Sequence, residues 1–440
     1  MIDGMVDALR RPALVEALGR VRRVSGTLVE GSVPHAAIGE LCEMFRADAP
    51  ERTTLCEVVG FMDDSVLLSS LSSLEGVSPA FHIRPLRRVH RVPVHPGLLG
   101  RIVDGFGAPL DEGPAVDVPD AVWRAVIASA PPPAQRPRIT EVFVTGVRSL
   151  DALLTMGVGQ RVGLFAGPGC GKTTLMAAIA RGADVDAVVL GLIGERGREV
   201  REFTEHEFGP AILAKTVIVC ATSDRTSIER VRAAFTATAI AEGLRDQGLR
   251  VLLVVDSLTR LARAQREIGL AAGEMPARAG FPPSVYSLLP RLVERAGPAP
   301  GGSITALYTV LVEGDIKLDP IAEEAMSLLD GHVVLARKLA EQGHYPAVDV
   351  LPSISRVMSN VVARPHLSAA ARAREILSRY REVELLVRLG EYRRDLDAEM
   401  DAIVDAHPRM LEFLRQDTRR SESWRDSLAR LSGVTGISPA

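Results

Sequence analysis

A glycine-rich loop between a predicted strand and a predicted helix constrains this chain more than any other feature. The apolar run 162–165 predicts a buried strand, and residues 175–180 predict the helix that follows. Between them lie Ala166, Gly167, Pro168, Gly169, Cys170, Gly171, Lys172, Thr173 and Thr174. Glycines in such a loop let backbone N–H groups turn toward phosphate oxygens, and the helix N-terminus adds its positive dipole end. The order strand, loop, helix therefore predicts a phosphate-binding loop (P-loop) in an α/β domain.

The polar residues of this loop have separate expected roles. Lys172, one of four lysines in the chain, is expected to neutralise phosphate charge, and Thr173 to offer its hydroxyl to Mg²⁺. One residue departs from the usual G-x-x-x-x-G-K-[ST] pattern, because its first glycine is Ala166 here. Three glycines remain in the loop, so we expect the turn to survive.

Two further apolar runs end in carboxylates. Residues 251–255 precede Asp256, and residues 190–193 precede the acid–base cluster 194–199, which contains Glu195. Asp256 is expected to hold Mg²⁺ through water, and a carboxylate beside the γ-phosphate would activate the attacking water. Taken alone, Asp256 also fits a helix cap and the cluster also fits a solvated charge run. The residues themselves leave these alternatives open.

Composition narrows the class of protein. Lysine plus arginine is 52 and aspartate plus glutamate is 55, a net charge of −3, so no basic excess indicates a nucleic-acid partner. The cysteines lack regular spacing, which predicts neither disulfides nor a zinc site; they are Cys42, Cys56, Cys170 and Cys220. No apolar run reaches the roughly 18–20 residues that span a bilayer. The expected location is cytoplasmic, with membrane association only through partners.

Changes in pattern along the chain predict four segments. Residues 1–22 are expected to form a helical partner-binding segment, and the short glycine-separated β-type runs of 23–95 a small barrel. Alternating strands and helices predict a mostly parallel sheet within 96–367, entered through the proline-rich linker 128–138. Residues 368–440 are predicted to be a helical C-terminal domain.

The motifs together resemble a known family. The P-loop, residues 194–199 and residues 256–260 are similar to the catalytic subunits of rotary ATP synthases. Within that superfamily the cytoplasmic ATPases of bacterial type III secretion systems fit best, over segments 264–274, 281–286, 302–315, 329–332 and 344–350. The resemblance implies a RecA-like ATPase core between a β-barrel and a helical domain, with ATP and Mg²⁺ as substrate and cofactor.

The resemblance also implies roles for individual residues. Glu195 matches the carboxylate that polarises the attacking water, and Arg196 and Arg260 match arginines near the γ-phosphate. Arg356 matches an arginine finger that a neighbouring subunit inserts. Tyr345 and Phe413 match aromatic residues that stack on adenine, although a further aromatic often found nearby is Thr418 here. Core packing remains the alternative for Phe413.

The resemblance also implies a set of partners. They are a homohexameric ring, a central coiled-coil stalk, a stator-like protein at residues 1–22, secretion chaperones and effectors, and an export gate at the inner membrane. The stalk is expected to contact the loop 273–283 and the hairpin around 393–397.

Three alternatives remain at this point. A flagellar export ATPase would use the same chemistry, and its gene neighbourhood would distinguish it. A regulatory subunit would carry a non-acidic residue in place of Glu195. An RNA-dependent hexameric helicase would require a basic, aromatic-studded strand that is missing here.

Overall fold

The computed structural model describes residues 17–26, 28–114, 116, 118–314 and 316–439. The helix predicted over residues 6–18 lies outside these ranges except for its last two residues, which are not helical. The first six strands close into a barrel in the order β1-β2-β5-β4-β3-β6. Their bounds are β1 Gly19–Ser25, β2 Leu28–Ser32, β3 Glu40–Arg46, β4 Ala49–Met62, β5 Ser65–Ser70 and β6 His82–Val89.

The barrel corrects one expectation. β1 begins at Gly19, so the predicted boundary between residues 22 and 23 falls inside a strand. The β-type run 24–29 is divided between two strands, since β1 ends at Ser25 and β2 begins at Leu28. A turn at Asp63 and Asp64 connects β4 to β5, and Asp63 adopts a left-handed φ of 51° there. Glycine and aspartate tolerate such turn conformations better than the apolar residues around them.

A nine-stranded sheet forms the centre of the molecule. Its main path runs β19-β18-β12-β17-β15-β13-β14-β8, and β16 pairs with β17 off this path. Strands β12 to β15, β17, β18 and β8 pair in parallel, whereas β19 is antiparallel to β18. The bounds after the barrel are β7 Arg91–Val94, β8 Ile102–Asp104, β9 Val122–Ala125, β10 Val142–Phe143, β11 Met156–Gly157, β12 Arg161–Ala166, β13 Ala187–Ile193, β14 Thr216–Ala221, β15 Arg250–Asp256, β16 Gly297–Ala299, β17 Gly302–Leu311, β18 Gly331–Leu335 and β19 Val348–Ser355.

Helices cover both faces of this sheet. Their bounds are α1 Arg148–Leu153, α2 Lys172–Gly182, α3 Gly197–Glu202, α4 Gly209–Leu213, α5 Ser227–Asp246, α6 Leu258–Ala271, α7 Pro283–Val293, α8 Pro320–Leu328, α9 Arg337–Glu341, α10 Met358–Val361, α11 Arg364–Leu389, α12 Ala398–Leu414 and α13 Trp424–Thr435. A π-helical turn, Phe203–Phe208, separates α3 from α4. None of the helices that the structure describes is both long and apolar enough to cross a membrane.

Alternation along the strands creates two hydrophobic cores. On β15, Val251, Leu253 and Val255 face one core with α5, α6, α7 and α8. Leu252 and Val254 face the other core, which contains the P-loop helix α2. Period-two alternation of this kind is what a sheet covered on both sides requires.

The C-terminal helices share the second core. Ala373 of α11, Met410 of α12 and Leu431 of α13 are buried in the same cluster as Leu175 of α2. All three helices contact α1, which lies in the same core as the P-loop helix. The chain beyond residue 414 reaches the P-loop helix itself, because Arg181 of α2 donates a hydrogen bond to the Thr418 carbonyl at 2.8 Å.

The proline-rich segment does not mark the entry to the sheet. Residues 128–138 are irregular apart from the short 3-10 helix Pro133–Gln135, as expected from their prolines. However, β8 lies upstream of them and already forms the edge strand beside β14. The segment instead connects β9 to β10, and Arg136 donates a hydrogen bond to the Glu294 carbonyl at 3.0 Å.

The barrel and the sheet are joined by a small mixed interface. Leu41 and Leu71 of the barrel pack with Ile228 of α5. Close by, Arg232 of α5 forms an ion pair with the buried Glu57 of β4. An apolar contact beside a buried charge pair specifies one docking orientation for the barrel.

Candidate nucleotide-binding and hydrolysis site

The predicted P-loop has the geometry that phosphate binding requires. It connects the buried strand β12 to α2, and Gly169 and Gly171 adopt left-handed φ values of 76° and 80°. These conformations favour glycine because it lacks a Cβ. Ala166 is the last residue of β12 and remains in extended conformation, so the missing first glycine carries no strain.

Lys172 lies at the centre of a charged cluster. Its Nζ is 2.5 Å from Asp256 Oδ1 and 3.8 Å from Glu195 Oε1. Asp256, at the end of β15, also accepts a hydrogen bond of 2.6 Å from Thr309 Oγ1. Parallel strands β12, β15 and β13 end at the same edge of the sheet, which is why residues distant in sequence meet there.

Glu195 follows β13 after one glycine, Gly194, whose φ is 66°. Only 7% of Glu195 is exposed. Burial is the main cause that raises its pKa to about 7, and the charge of Asp256 and a hydrogen bond with Glu199 act in the same direction. Lys172 and Arg260 oppose this rise. A carboxyl group that titrates near neutral pH suits proton transfer at physiological pH.

The two predicted phosphate-side arginines differ in position. Arg260 of α6 contacts Glu195 at 3.0 Å between guanidinium and carboxylate, and it also donates to the Gly194 carbonyl. The Arg196 side chain is 72% exposed and pairs with Glu199 at 3.2 Å. Arg260 is thus part of the assembled cluster, whereas Arg196 lies at its rim.

These residues line one open cleft. Its volume is about 1110 Å³, which is large enough for a nucleoside triphosphate. The predicted residues that line it are Gly167, Pro168, Gly169, Gly171, Lys172, Thr173, Thr174, Glu195, Arg196, Asp256 and Arg260. Cys170 is excluded from the lining because it is 1% exposed and turns into the core.

The two predicted adenine-stacking residues have different environments. Tyr345 lies in the connection between β18 and β19 at the P-loop edge, is 43% exposed, and approaches the P-loop at Gly171. Phe413 is 3% exposed and packs in the second core, with the Arg148 guanidinium 5.7 Å from its ring centroid. Core packing therefore accounts for the position of Phe413.

Arg356 is far from the P-loop of its own subunit. Leu335 of β18 pairs both with Ala166, next to the P-loop, and with Val348 at the start of β19. β19 then runs back along the sheet, and Arg356, just after its end, donates its backbone N–H to the Asp330 carbonyl at 3.0 Å. At a rise of about 3.3 Å per residue, Arg356 therefore lies about 15 Å from the P-loop edge, toward the other end of the parallel strands.

Two charged residues that line the cleft near Glu195 are absent from the predicted site residues. Glu199, whose hydrogen bond with Glu195 is described above, belongs to the acid–base cluster, and its proximity to Glu195 in sequence is the available signal. Arg230 of α5 also lines the cleft. No motif marks it, because it reaches the site only through the packing of α5 against β13.

Within the described ranges, no group of three histidine, cysteine, aspartate or glutamate side chains forms a metal cage. Thr173 and Asp256 instead supply hard oxygen atoms beside the P-loop. This donor set fits Mg²⁺, which proteins commonly bind through one or two side chains together with substrate phosphates.

The fold and the site define a P-loop nucleoside triphosphatase with a RecA-like sheet. Residues 146–355 match the ATP synthase alpha/beta family, nucleotide-binding domain, and residues 362–433 match the T3SS EscN ATPase C-terminal domain. The chain is 53% identical over 441 residues to a type 3 secretion system ATPase of Pseudomonas savastanoi pv. phaseolicola, covering 99% of this chain and 98% of that protein.

Two more comparisons bear on the branch of the family. A flagellum-specific ATP synthase of Bacillus subtilis is 44% identical over 435 residues, with 99% of both chains covered. The assembled ATPase EscN in complex with its central stalk EscO, from the enteropathogenic E. coli type III secretion system, superposes with a TM-score of 0.86 and 44% identity. That alignment covers 95% of this chain and 100% of EscN.

The chain belongs to the type 3 secretion system ATPase family. The predicted fold class and the predicted activity, ATP hydrolysis that powers type III protein secretion, are confirmed.

Proposed function

We propose that this chain hydrolyses Mg²⁺-bound ATP in a homohexameric ring in which each active site is shared by two subunits. One observation carries the proposal. In each subunit Lys172, Glu195 and Arg260 lie together at the P-loop edge. Arg356 of the same subunit lies at the opposite ends of the strands. If Arg356 acts as an arginine finger, it must therefore reach the active site of a neighbouring subunit.

The residues of one subunit divide the work at the phosphates. Lys172 neutralises the β- and γ-phosphates once it leaves Asp256, and the P-loop N–H groups bind phosphate oxygens. Glu195 accepts a proton from the attacking water, and Arg260 holds its carboxylate in place. Thr173 and Asp256 would hold Mg²⁺, which would supply positive charge beside the phosphates.

The remaining contacts complete the site. Tyr345 offers an exposed aromatic face for adenine beside Gly171. Arg196, exposed at the rim, is free to turn toward the γ-phosphate when nucleotide enters. Arg356 of the adjacent subunit stabilises the charge that develops in the transition state.

The partners proposed for the ring follow from the family. A central stalk would contact the loop 273–283 and the turn between α11 and α12, both of which expose large apolar side chains, Met275 and Leu396. Chaperones with their effectors, a stator-like protein at residues 1–22, and an export gate complete the machine. Through these partners the ATPase would be held at the inner membrane.

Mixing two inactive proteins tests the shared site. Glu195→Gln removes the base in its own subunit, and Arg356→Ala removes the finger supplied to the next one. In randomly mixed rings roughly a quarter of interfaces combine an intact Glu195 with an intact Arg356, so ATP turnover should reappear. Turnover is measured over a range of ratios, with particle size recorded in parallel.

The matched control mixes Glu195→Gln with Lys172→Ala. Each change disables the P-loop side of the subunit that carries it. No interface therefore becomes complete, and turnover should stay at the background level. Equal turnover in the two mixtures, with co-assembly verified, would contradict the shared-site proposal.

A further inference from the structure

Arg230 lies beside the backbone that carries Glu195. It projects from α5 into the cleft, and its side chain is 16% exposed. A Cβ placed on Gly194 would lie 3.3 Å from Arg260 Cδ and 3.6 Å from Arg230 Cδ. The stems of two arginines therefore enclose the residue that precedes Glu195.

A carboxylate on the next helix holds the Arg230 guanidinium. Its Nη2 is 2.6 Å from Glu267 Oε2 and 3.1 Å from Ser227 Oγ, and Ser227 also donates to Glu267. Arg230 Nε is buried and has no hydrogen-bond partner among the described residues. Glu267 is 53% exposed, so the pair can open without burying an isolated charge.

Glu267 and Arg260 lie on one face of α6. They are separated by seven residues, close to two helical turns, so α6 touches the Glu195 segment directly through Arg260 and again through Glu267 and Arg230. α6 is linked to the loop 273–283 through Ser284 at the start of α7. Gln265 donates to Ser284 Oγ at 3.2 Å, and Glu274 accepts the Ser284 backbone N–H at 3.1 Å.

We propose that Arg230 is a positioning residue for Glu195, and that its ion pair with Glu267 couples filling of the cleft to α6 and the loop 273–283. A triphosphate adds negative charge to the cleft and attracts the guanidinium away from Glu267. Loss of the ion pair removes one contact that holds α6 in place. This change reaches the loop through Gln265, Ser284 and Glu274. The proposal rests on the proposed role of Glu195 as the base.

Steady-state kinetics test the positioning role. In Arg230→Ala, kcat should fall by about 10-fold or more, while KM and the Kd for the β,γ-imido analogue of ATP change less than about threefold. Arg230→Lys should recover part of the loss, and Glu267→Ala should lower kcat less because Glu267 does not touch Gly194. An unchanged kcat in Arg230→Ala, or losses in kcat and affinity that simply follow a lower melting temperature, would overturn the proposal.

A fluorescent label on the loop tests the coupling. Met275 is 81% exposed and the four native cysteines are buried, so a Met275→Cys variant accepts a thiol-reactive dye selectively. The dye should respond when the β,γ-imido analogue and Mg²⁺ are added, and Arg230→Ala and Glu267→Ala should each reduce the response by at least about half at saturating nucleotide. Arg46→Ala, which removes an exposed ion pair on the barrel, is the control with an unchanged response.

The same labelled protein carrying Glu195→Gln separates the two proposals. Its dye should still respond to the analogue although turnover is lost. Turnover that survives Glu195→Gln would refute the base assignment and, with it, the positioning role of Arg230, but not the coupling. A full dye response in both Arg230→Ala and Glu267→Ala would refute the coupling alone.

Discussion

At the scale of single residues, opposing influences set the pKa of Glu195. Lys172 and Arg260 favour its charged form, whereas burial and the nearby Asp256 disfavour it. The balance leaves a carboxyl group ready to exchange a proton near neutral pH. Glu195→Gln preserves the shape of the side chain but cannot accept that proton.

Glu195→Gln should cut ATP turnover by about 10²–10⁴-fold, the usual loss for a positioned acid–base group. The Kd for MgATP should change little, because the amide that replaces the carboxyl group has nearly the same shape and adds no negative charge beside the phosphates. Lys172→Ala, by contrast, should also weaken nucleotide binding. Titration calorimetry and phosphate release measure the two quantities, and a Glu195→Gln protein with more than about a tenth of wild-type turnover would contradict the assignment.

The pKa of Glu195, raised to about 7, predicts an acidic limb in the pH–rate profile, where ATP hydrolysis slows as the pH falls. Below pH 7 the carboxyl group is mostly protonated and cannot act as a base, so kcat/KM should rise with pH and level off above about pH 8. Initial rates at low ATP in excess Mg²⁺ measure this. Glu199→Ala removes a hydrogen bond that raises the pKa, so it should move the limb to lower pH. A flat profile from pH 6 to 8 would contradict the prediction.

At the scale of elements, buried charges tie helices to loops. Arg295, at the end of α7, is fully buried and pairs with Glu242 of α5 at 2.7 Å. It also donates a 2.6 Å hydrogen bond to the Val126 carbonyl, just before the proline-rich segment. One side chain thus joins α5, the end of α7 and the chain just after β9.

Arg295→Ala should destabilise the protein by about 3–5 kcal/mol, because the buried Glu242 loses both hydrogen bonds from Arg295 and keeps the longer 3.5 Å contact with Arg124. Replacing both partners by apolar residues, as in Arg295→Met with Glu242→Leu, should recover much of this loss. Denaturant midpoints followed by fluorescence measure the change. Arg394→Ala removes an exposed pair with Asp405 and should leave the denaturant midpoint nearly unchanged, so it is the control.

At the scale of the whole molecule, the two ends of the sheet are proposed to serve different subunits. The P-loop edge binds nucleotide, and the Arg356 edge is proposed to complete the site of a neighbour. A protein with such sites is inactive as a monomer even when it is fully folded.

ATP turnover should therefore rise more steeply than linearly with protein concentration while rings assemble, and become linear once assembly is complete. Turnover and light scattering measured on the same samples check this. Arg356→Ala should follow the same assembly curve with turnover lower by about 10³–10⁵-fold, as expected for loss of an arginine finger. Constant specific activity in a protein that stays monomeric would contradict the shared site.

The sequence by itself determined the phosphate-binding part of the site. Nine consecutive residues, Ala166 to Thr174, combine a strand end, positive-φ glycines, a lysine and a helix start. Every part of that motif is local, so backbone conformation and residue order suffice to predict it. The same holds for the alternation of β15, which indicates a sheet buried on both faces.

Only the tertiary structure decided which distant residues meet. Lys172 and Asp256 are 84 positions apart and touch because parallel strands end at one edge. Arg356 is removed from that edge because β19 runs antiparallel, and Phe413 is buried because α12 packs on α1. Arg230 reaches the cleft by the same kind of packing. These relations depend on strand order and helix docking, which are set by long-range burial that no local pattern encodes.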